Sequence, residues 1–208
     1  MTFTGFDSGA RDFLVALAKD NTRDFFEAHR ADYVRDIRQP LEDLLGEAER
    51  KYGPGRVMRP NRDIRFSSNK DPYKTSASMW AGTVAGVYLS LTATHLDVGG
   101  GIYAPSRDQL DRAREAIVAQ PRAAARLSGV LETLTGAGFE VAGPALKTAP
   151  RGFDREHPAI DLLRLTHYAA LTSLPVAATP ESIRSAWEAV EPLIEWGNEF
   201  VKAPLSSP

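Results

Sequence analysis

The chain contains no cysteine among its 208 residues. Disulfide bonds, thiolate metal sites and cysteine nucleophiles are therefore excluded. Long apolar runs are also missing: the most apolar stretch, Gly82 to Leu91, is shorter than the roughly 20 residues that span a bilayer. The first residues contain no basic region followed by an apolar run, so we expect no signal peptide and no membrane association. Together with the lack of cysteine, this predicts a cytoplasmic protein.

Motifs that hold metals or nucleotides are absent as well. The four histidines (His29, His95, His157 and His167) show no H-x-x-x-H spacing, so we expect no metal and no cofactor. The run Gly99 to Gly101 is not followed by the Lys and Ser/Thr of a phosphate-binding loop, and we expect a strand turn or bulge there. His29 lies on an apolar helical face, which favours a packed core residue.

The composition is that of an ordinary globular protein. Apolar residues make up 43%, aromatic residues 9% and charged residues 25% of the chain, which is enough to build a sizeable core. Extended segments cluster in the middle, and helical patterns precede and follow them. This order predicts an α+β fold with a central, mostly antiparallel sheet. We expect one domain over residues 1–204 and a short tail over 205–208, in an oligomeric state that the sequence leaves open.

Local signals mark several element boundaries. Asn21 is expected to open the second helix, and Pro40 to break or restart it. Ser106 and Gln109 have the spacing of a capping box. Pro180 follows Thr179 at the start of the last helical segment.

One segment stands out by its charge. Between Arg56 and Lys74 the chain carries six cationic side chains against only Asp63 and Asp71, in a protein of net charge −2. Arg and Lys bind phosphate and carboxylate groups, so this basic segment (residues 56–74) indicates an anion-binding surface. The structural alternative is a set of internal ion pairs that hold a loop to the core.

The middle of the basic segment alternates like a strand. Ile64 and Phe66 are expected on one face, and Arg62 on that side is expected to be partly buried. A buried guanidinium needs a partner: Asp63, Asp161 or a ligand. Lys147 and Arg151, in a second loop, are candidates to close the same pocket.

These residues lead to three hypotheses. The first is a site for a small molecule that carries a phosphate or carboxylate, and the candidate ligand-binding residues are Arg62, Arg65, Lys70, Tyr73, Lys74, Tyr88, Lys147 and Arg151. If the site is catalytic, Tyr73 or His95 would transfer a proton, although a packed tyrosine ring with a bonded hydroxyl is the structural alternative for Tyr73 and Tyr88. The second is a protein- or nucleic-acid-binding module on the same patch. The third is a purely structural cluster.

Strong binding of nucleic acid is not expected. The local surplus of four positive charges would neutralise only a few phosphates. The segment carries one strand aromatic, Phe66, which is expected to point inward, so no stacking platform for single strands is evident. Whether the protein is an enzyme remains open.

A family resemblance covers nearly the whole chain. The string Arg62 to Ser67, followed by Lys70 and by Pro72 to Lys74, resembles the hallmark of the family called domain of unknown function 2461. The pieces Gly86 to Leu89 and Gly100 to Tyr103 resemble it in the same order. The resemblance implies a single α+β domain of bacterial type and carries no known activity. One departure is Phe25, where many relatives are expected to have tryptophan.

Overall fold

The computed structural model describes residues 2–63, 65 and 68–202 of the chain. Its N-terminal region is helical: α1 (Ser8–Lys19), α2 (Arg23–Ala28), α3 (Arg30–Tyr33), a π-helical turn (Val34–Arg38) and α4 (Gln39–Tyr52). Thr22 rather than Asn21 caps α2, because its side chain accepts a hydrogen bond from the Phe25 N–H. The expectation that Asn21 opens this helix is therefore wrong by one residue.

The π-helical turn accommodates Pro40 without breaking the helix. Proline has no N–H, and its ring clashes with the carbonyl four residues earlier in a regular α-helix. Here the Gln39 N–H bonds to the Val34 carbonyl, the wider i→i−5 pattern, and Pro40 lies in the first turn of α4. The expected restart at Pro40 thus takes the form of a local widening.

The sheet has six strands, β1 (Gly55–Val57), β2 (Ala77–Gly82), β3 (Gly86–Leu91), β4 (His95–Ile102), β5 (Glu140–Val141) and β6 (Tyr168–Pro175), in the order β1-β2-β3-β4-β6-β5. β1 pairs antiparallel with β2, with Gly55 opposite Ala81, and β5 pairs antiparallel with β6, with Glu140 opposite Leu171. The predicted α+β class with an antiparallel sheet is confirmed.

The glycine run is part of a strand, so the turn expected there is wrong, while the alternative of a bulge stays a prediction. Gly99 to Gly101 lie inside β4. A Cβ atom on Gly99 would collide with the Ala170 carbonyl, and one on Gly101 with the Tyr168 carbonyl. The glycines therefore allow the backbones of β4 and β6 to approach closely.

The remaining helices lie after β4 in the chain, some of them between β4 and the last two strands: α5 (Arg107–Ala119), α6 (Pro121–Gly136), α7 (Ile160–Leu163), α8 (Pro180–Ala189) and α9 (Glu191–Phe200). The capping box at the start of α5 is confirmed, since Ser106 and Gln109 each accept the other's backbone N–H. Thr179 accepts from the Ser182 N–H at the start of α8. Pro192 lies in the first turn of α9, which begins after a break at Val190.

Two compact units divide the chain. The first comprises Met1–Gly82, Tyr88–Val98 and Ser173–Ser185, and the second comprises Thr83–Val87, Gly99–Thr172 and Ala186–Pro208. The 1–204 domain boundary stays a prediction.

Each unit has its own packed interior. In the first, Phe13 packs against Phe26 and Tyr33 at ring distances of 6.0 and 5.6 Å. In the second, the buried Trp196 ring lies 5.3 Å from Tyr168.

Candidate functional site

The basic segment folds back on itself as a short antiparallel ribbon. The Arg62 N–H donates to the Pro72 carbonyl and the Lys74 N–H donates to the Pro60 carbonyl, both at 2.8 Å. Asn61 and Tyr73 form an isolated β-bridge between these two bonds. The predicted strand over residues 62–66 is not formed at Arg62 or Asp63, and its apolar positions Ile64 and Phe66 lie outside the described residues.

The ribbon has two faces that carry different chemistry. Paired residues in an antiparallel ladder share a face, and their neighbours point to the opposite one. Asn61 and Tyr73 therefore share one face, and both line a cleft. Arg62 and Lys74 belong to the other face and are not in the cleft lining, although Pro72 and Pro60, which pair with them, also line the cleft.

Asn21 holds Tyr73 in place. Its side-chain amide donates to the Tyr73 carbonyl at 3.1 Å, and its side-chain oxygen accepts the Tyr73 N–H at 3.0 Å. These are the two backbone groups that a neighbouring strand would otherwise bond. One side chain in the turn before α2 thus satisfies the outer edge of the ribbon.

Three packed aromatic residues form part of the cleft lining. The rings of Phe26 and Tyr73 stack at 4.1 Å with an interplanar angle of 8°. Tyr33 packs against Phe26 at 5.1 Å. All three residues are buried and all three line the cleft.

The cleft has a volume of about 600 Å³ and lies within the first unit. The ribbon contributes Pro60, Asn61, Pro72 and Tyr73 to its lining. The helical region contributes Arg23, Phe26, Glu27, Arg30, Tyr33, Val34 and Arg38. Among the described residues, three arginines and one carboxylate therefore line it, so the cleft favours an anion.

Two of the three arginines have carboxylate partners. Arg30 donates to both oxygens of Glu27, at 2.7 and 2.8 Å. This bond is the main cause of the lowered Glu27 pKa and of the raised Arg30 pKa. Arg38 donates to Glu42 at 2.8 Å. Arg23 lines the cleft with no hydrogen-bonded carboxylate among the described residues, and its charge also lowers the Glu27 pKa.

Tyr33 is the unusual polar group of the cleft. The residue is only 5% exposed. Its hydroxyl is buried and has no hydrogen-bond partner among the described residues. Burial raises the pKa of this phenol, and the nearby Arg38 charge opposes that shift. The hydroxyl is therefore a neutral donor at physiological pH, and a buried donor without a partner is uncommon in folded proteins.

On the other face of the ribbon, Lys74 lies among positive charges. Its Nζ donates to the Arg59 carbonyl at 3.2 Å. Burial lowers the pKa of Lys74, and the charges of Arg59 and Arg62 lower it further.

Arg62 is half-buried as expected, but its predicted acidic partners are wrong. Its Nη2 reaches the Tyr73 carbonyl at a long 3.5 Å, and its buried Nε has no partner among the described residues. Asp63 instead forms an ion pair with Arg65 at 2.7 Å, and Asp161 lies 3.7 Å from Arg164.

Several other sequence candidates lie away from the cleft lining. Arg65 is an exposed residue bound to Asp63, and Lys70 is exposed in the same segment. Tyr88 is a half-buried residue of β3. Lys147 and Arg151 are exposed residues of the second unit, so their part in a common site stays a prediction.

The histidine candidates have local partners. His95 Nδ1 lies 2.8 Å from the Thr94 hydroxyl and Nε2 lies 3.3 Å from Asp97. Its expected proton transfer at the basic segment stays a prediction. His29 is exposed and stacks on Phe25 at 4.2 Å, so the expectation of a core residue is wrong.

Sequence reasoning found Tyr73 but missed the helical half of the cleft. The missed residues are Arg23, Glu27, Arg30, Tyr33 and Arg38. A signal was present in the spacing, because residues 23, 27 and 30 recur at i, i+4 and i+7 and so share one helical face. The sequence interpretation of this helical region considered its aromatic residues and not its charged ones.

Other site types find no support in the part of the chain that the structure describes. No group of three or more His, Cys, Asp or Glu side chains there is arranged to hold a metal. No described helix is long and apolar enough to cross a membrane.

The family model for conserved hypothetical proteins, DUF2461, matches residues 9–196. The chain belongs to this family. The match includes both halves of the cleft, from Arg23 to Tyr73, and the resemblance noted from the sequence is thereby confirmed. No curated protein and no solved structure matches the chain significantly. The family description names no ligand or reaction, so function has to be argued from the geometry.

Proposed function

We propose that this DUF2461 protein binds a small molecule that carries a phosphate or carboxylate, with the anion in the cleft between the helical residues 23–38 and the ribbon. The observation that carries the proposal is the buried, unpartnered hydroxyl of Tyr33, a residue that lines a cleft together with three arginines and one carboxylate among the described residues. A ligand oxygen accepting from Tyr33 would remove the cost of this orphaned donor.

Charge supports an anion over a neutral or cationic ligand. Arg23 has no hydrogen-bonded carboxylate in the described residues, so its guanidinium is available for a bidentate contact. Glu27 already accepts both of its bonds from Arg30. The proposal is one of binding, and it assigns no reaction.

The cleft supports a small ligand better than a nucleic acid. Binders of single strands use exposed aromatic faces on which bases stack. Phe26 and Tyr73 instead stack on each other and are buried. Their faces are therefore not available for bases.

Thermal unfolding with simple anions tests the proposal. We use inorganic phosphate and succinate as probes, with chloride at matched ionic strength to remove general screening. Binding to the native state alone stabilises it by about 2.7 kcal/mol at a ligand concentration 100 times Kd. In a chain of this size that corresponds to a rise of several degrees in the melting temperature.

Matched variants locate the effect. Arg23→Gln removes the arginine without a hydrogen-bonded partner and should abolish most of the shift. Arg50→Gln is the control, since Arg50 is an exposed residue of α4 outside the cleft lining and the charge change is identical. Tyr33→Phe should reduce the shift and leave the protein folded. No shift beyond chloride with either probe, or an equal loss in Arg23→Gln and Arg50→Gln, would refute the cleft site.

A further inference from the structure

The cleft of the first unit is much larger than an inorganic anion. Its volume of about 600 Å³ falls within the roughly 300–1,000 Å³ of pockets that bury whole small molecules, whereas one water takes up about 30 Å³ of the liquid. Such pockets are lined mostly by apolar groups, and a few polar groups fix the orientation of the ligand. The arginines therefore account for one end of a ligand, and the apolar part of the lining has to match the rest.

Apolar side chains line the cleft from both of its sides. Val34, on the helical side, is 42% exposed. Pro60 and Pro72, on the ribbon side, are half-buried. A single exposed valine is ordinary on a protein surface. Because this one lines the same cleft as the two prolines, a ligand with an apolar body would remove all three side chains from water.

The charges of the lining are mostly compensated. Arg30 is bound to both oxygens of Glu27, and Arg38 is bound to Glu42. Among the described lining residues, Arg23 is the one arginine without a hydrogen-bonded carboxylate. One carboxylate group binds one guanidinium through two parallel hydrogen bonds. A ligand with two negative charges would bring its second charge to arginines that already have partners.

We propose that the ligand of the cleft is a monocarboxylic acid with an apolar chain or ring. Its carboxylate binds Arg23, and its apolar body contacts Val34, Pro60 and Pro72. This inference rests on the proposed function, because it concerns the same cleft. It adds the charge of the ligand and the chemistry of the part that carries no charge.

Four small probes test the inference: acetate, hexanoate, adipate and hexanamide, with chloride at matched ionic strength as the blank. Dissociation constants come from the rise in melting temperature over a range of probe concentrations. Each buried methylene group tightens binding about fourfold, so burial of two of the additional methylene groups of hexanoate should make it bind at least about tenfold more tightly than acetate. Adipate carries a second carboxylate at its far end and hexanamide carries no charge, so both should bind more weakly than hexanoate.

Matched valine variants locate the apolar end of the ligand. Val34→Thr keeps the shape of the side chain but makes it polar, so it should reduce the advantage of hexanoate over acetate by about threefold and leave acetate binding unchanged. Val118→Thr is the control and should leave both unchanged. Val118 is 44% exposed, but it lines the cavity of the second unit, where none of the described lining residues is an arginine or lysine. Arg23→Gln should weaken the binding of both carboxylates.

The outcomes separate this inference from the proposed function. The inference would be overturned if hexanoate bound no more tightly than acetate or adipate, or if Val34→Thr and Val118→Thr reduced its advantage equally. In that case the proposed function would stand as long as phosphate or succinate still stabilised the protein through Arg23. No stabilisation beyond chloride by any of these probes, phosphate and succinate included, would refute both.

Discussion

Two buried polar groups of the first unit lack, among the described residues, the hydrogen-bond partners that comparable groups of the second unit have. In the second unit, Arg114 is 8% exposed and donates to the Leu163 and Leu165 carbonyls. Tyr168 is fully buried, and its hydroxyl donates to the Leu162 carbonyl at 3.2 Å. In the first unit, the Tyr33 hydroxyl and the Arg62 Nε are buried without partners among the described residues.

The contrast separates structural polar groups from candidate functional ones. Burial raises the pKa of both tyrosines, that of Tyr168 to about 12. The direction of the pKa shift is therefore the same for both tyrosines. What distinguishes them is whether the hydroxyl has a hydrogen-bond partner among the described residues. A satisfied donor stabilises the fold, whereas an unsatisfied one costs about 1–3 kcal/mol, a cost that a bound ligand can remove.

The cavities of the two units differ in the same way. The second unit has a cavity of about 490 Å³ whose walls include Ile117, Pro121, Ala124 and Leu162. None of its described lining residues is an arginine or lysine. Anion binding is therefore expected in the cleft of the first unit and not in this cavity.

The largest effect on the free energy of unfolding is expected for Arg114, the buried arginine that has hydrogen-bond partners. Arg114→Met keeps most of the apolar stem but removes both bonds to the carbonyls of Leu163 and Leu165, at the C-terminal end of α7 and just after it. Hydrogen bonds from charged groups contribute about 1.5–3 kcal/mol each, so the loss of both should lower the free energy of unfolding by about 3–6 kcal/mol. Urea unfolding measures it. A loss below the error of the measurement would show that these bonds do not stabilise the fold. The rise in melting temperature that phosphate causes should be the same in Arg114→Met as in the unchanged protein.

Removing the hydroxyl from Tyr168 and from Tyr33 should change the free energy of unfolding in opposite directions. Tyr168→Phe leaves the Leu162 carbonyl without its donor and should lower the free energy of unfolding by about 1–2 kcal/mol. Tyr33→Phe removes an orphaned donor and should raise it by up to about 1 kcal/mol. Unfolding of both variants in the absence of phosphate gives the comparison. Equal destabilisation would mean that Tyr33 also has a structural bond, and the contrast between the units would be lost.

The smallest effect is expected at Arg62. Its one hydrogen bond is long, so Arg62→Met should cost less than about 1 kcal/mol, far below the 3–5 kcal/mol typical of a broken buried ion pair. Arg59→Met, at an exposed position two residues before Asn61, is the matched control and should be close to neutral. A loss of several kcal/mol for Arg62→Met alone would reveal a strong partner for this side chain.

Signals that lie close together in the sequence predicted the structure well. The Ser106–Gln109 capping box and the Thr179–Pro180 helix start depend on neighbours within one turn, and both are present. The glycine run in β4 was misinterpreted because its cause is the backbone of β6, some 70 residues away in the chain. Nothing local distinguishes a glycine that permits close strand contact from one that forms a turn.

Only one half of the candidate site was predicted from the sequence, for the same reason. The local excess of positive charge identified the basic segment in the sequence, and Tyr73 of that segment does line the cleft. The opposite wall comes from helices about 40 residues earlier, whose arginines are mixed with acids and so give no excess of charge. The pairing of Asn21 with Tyr73 spans 52 residues and follows from no local pattern.

The π-helical turn has a consequence for helical phase. Eight residues of a regular α-helix end about 80° away from where they start, so a helical wheel separates Arg38 from Arg30. The widened turn between them absorbs one residue, which brings Arg38 back to about 20° from Arg30. Both arginines then line the cleft. The widening that accommodates Pro40 therefore also sets the phase of these two arginines, and a deletion that restored a regular helix there would set the Pro40 ring against the carbonyl four residues earlier.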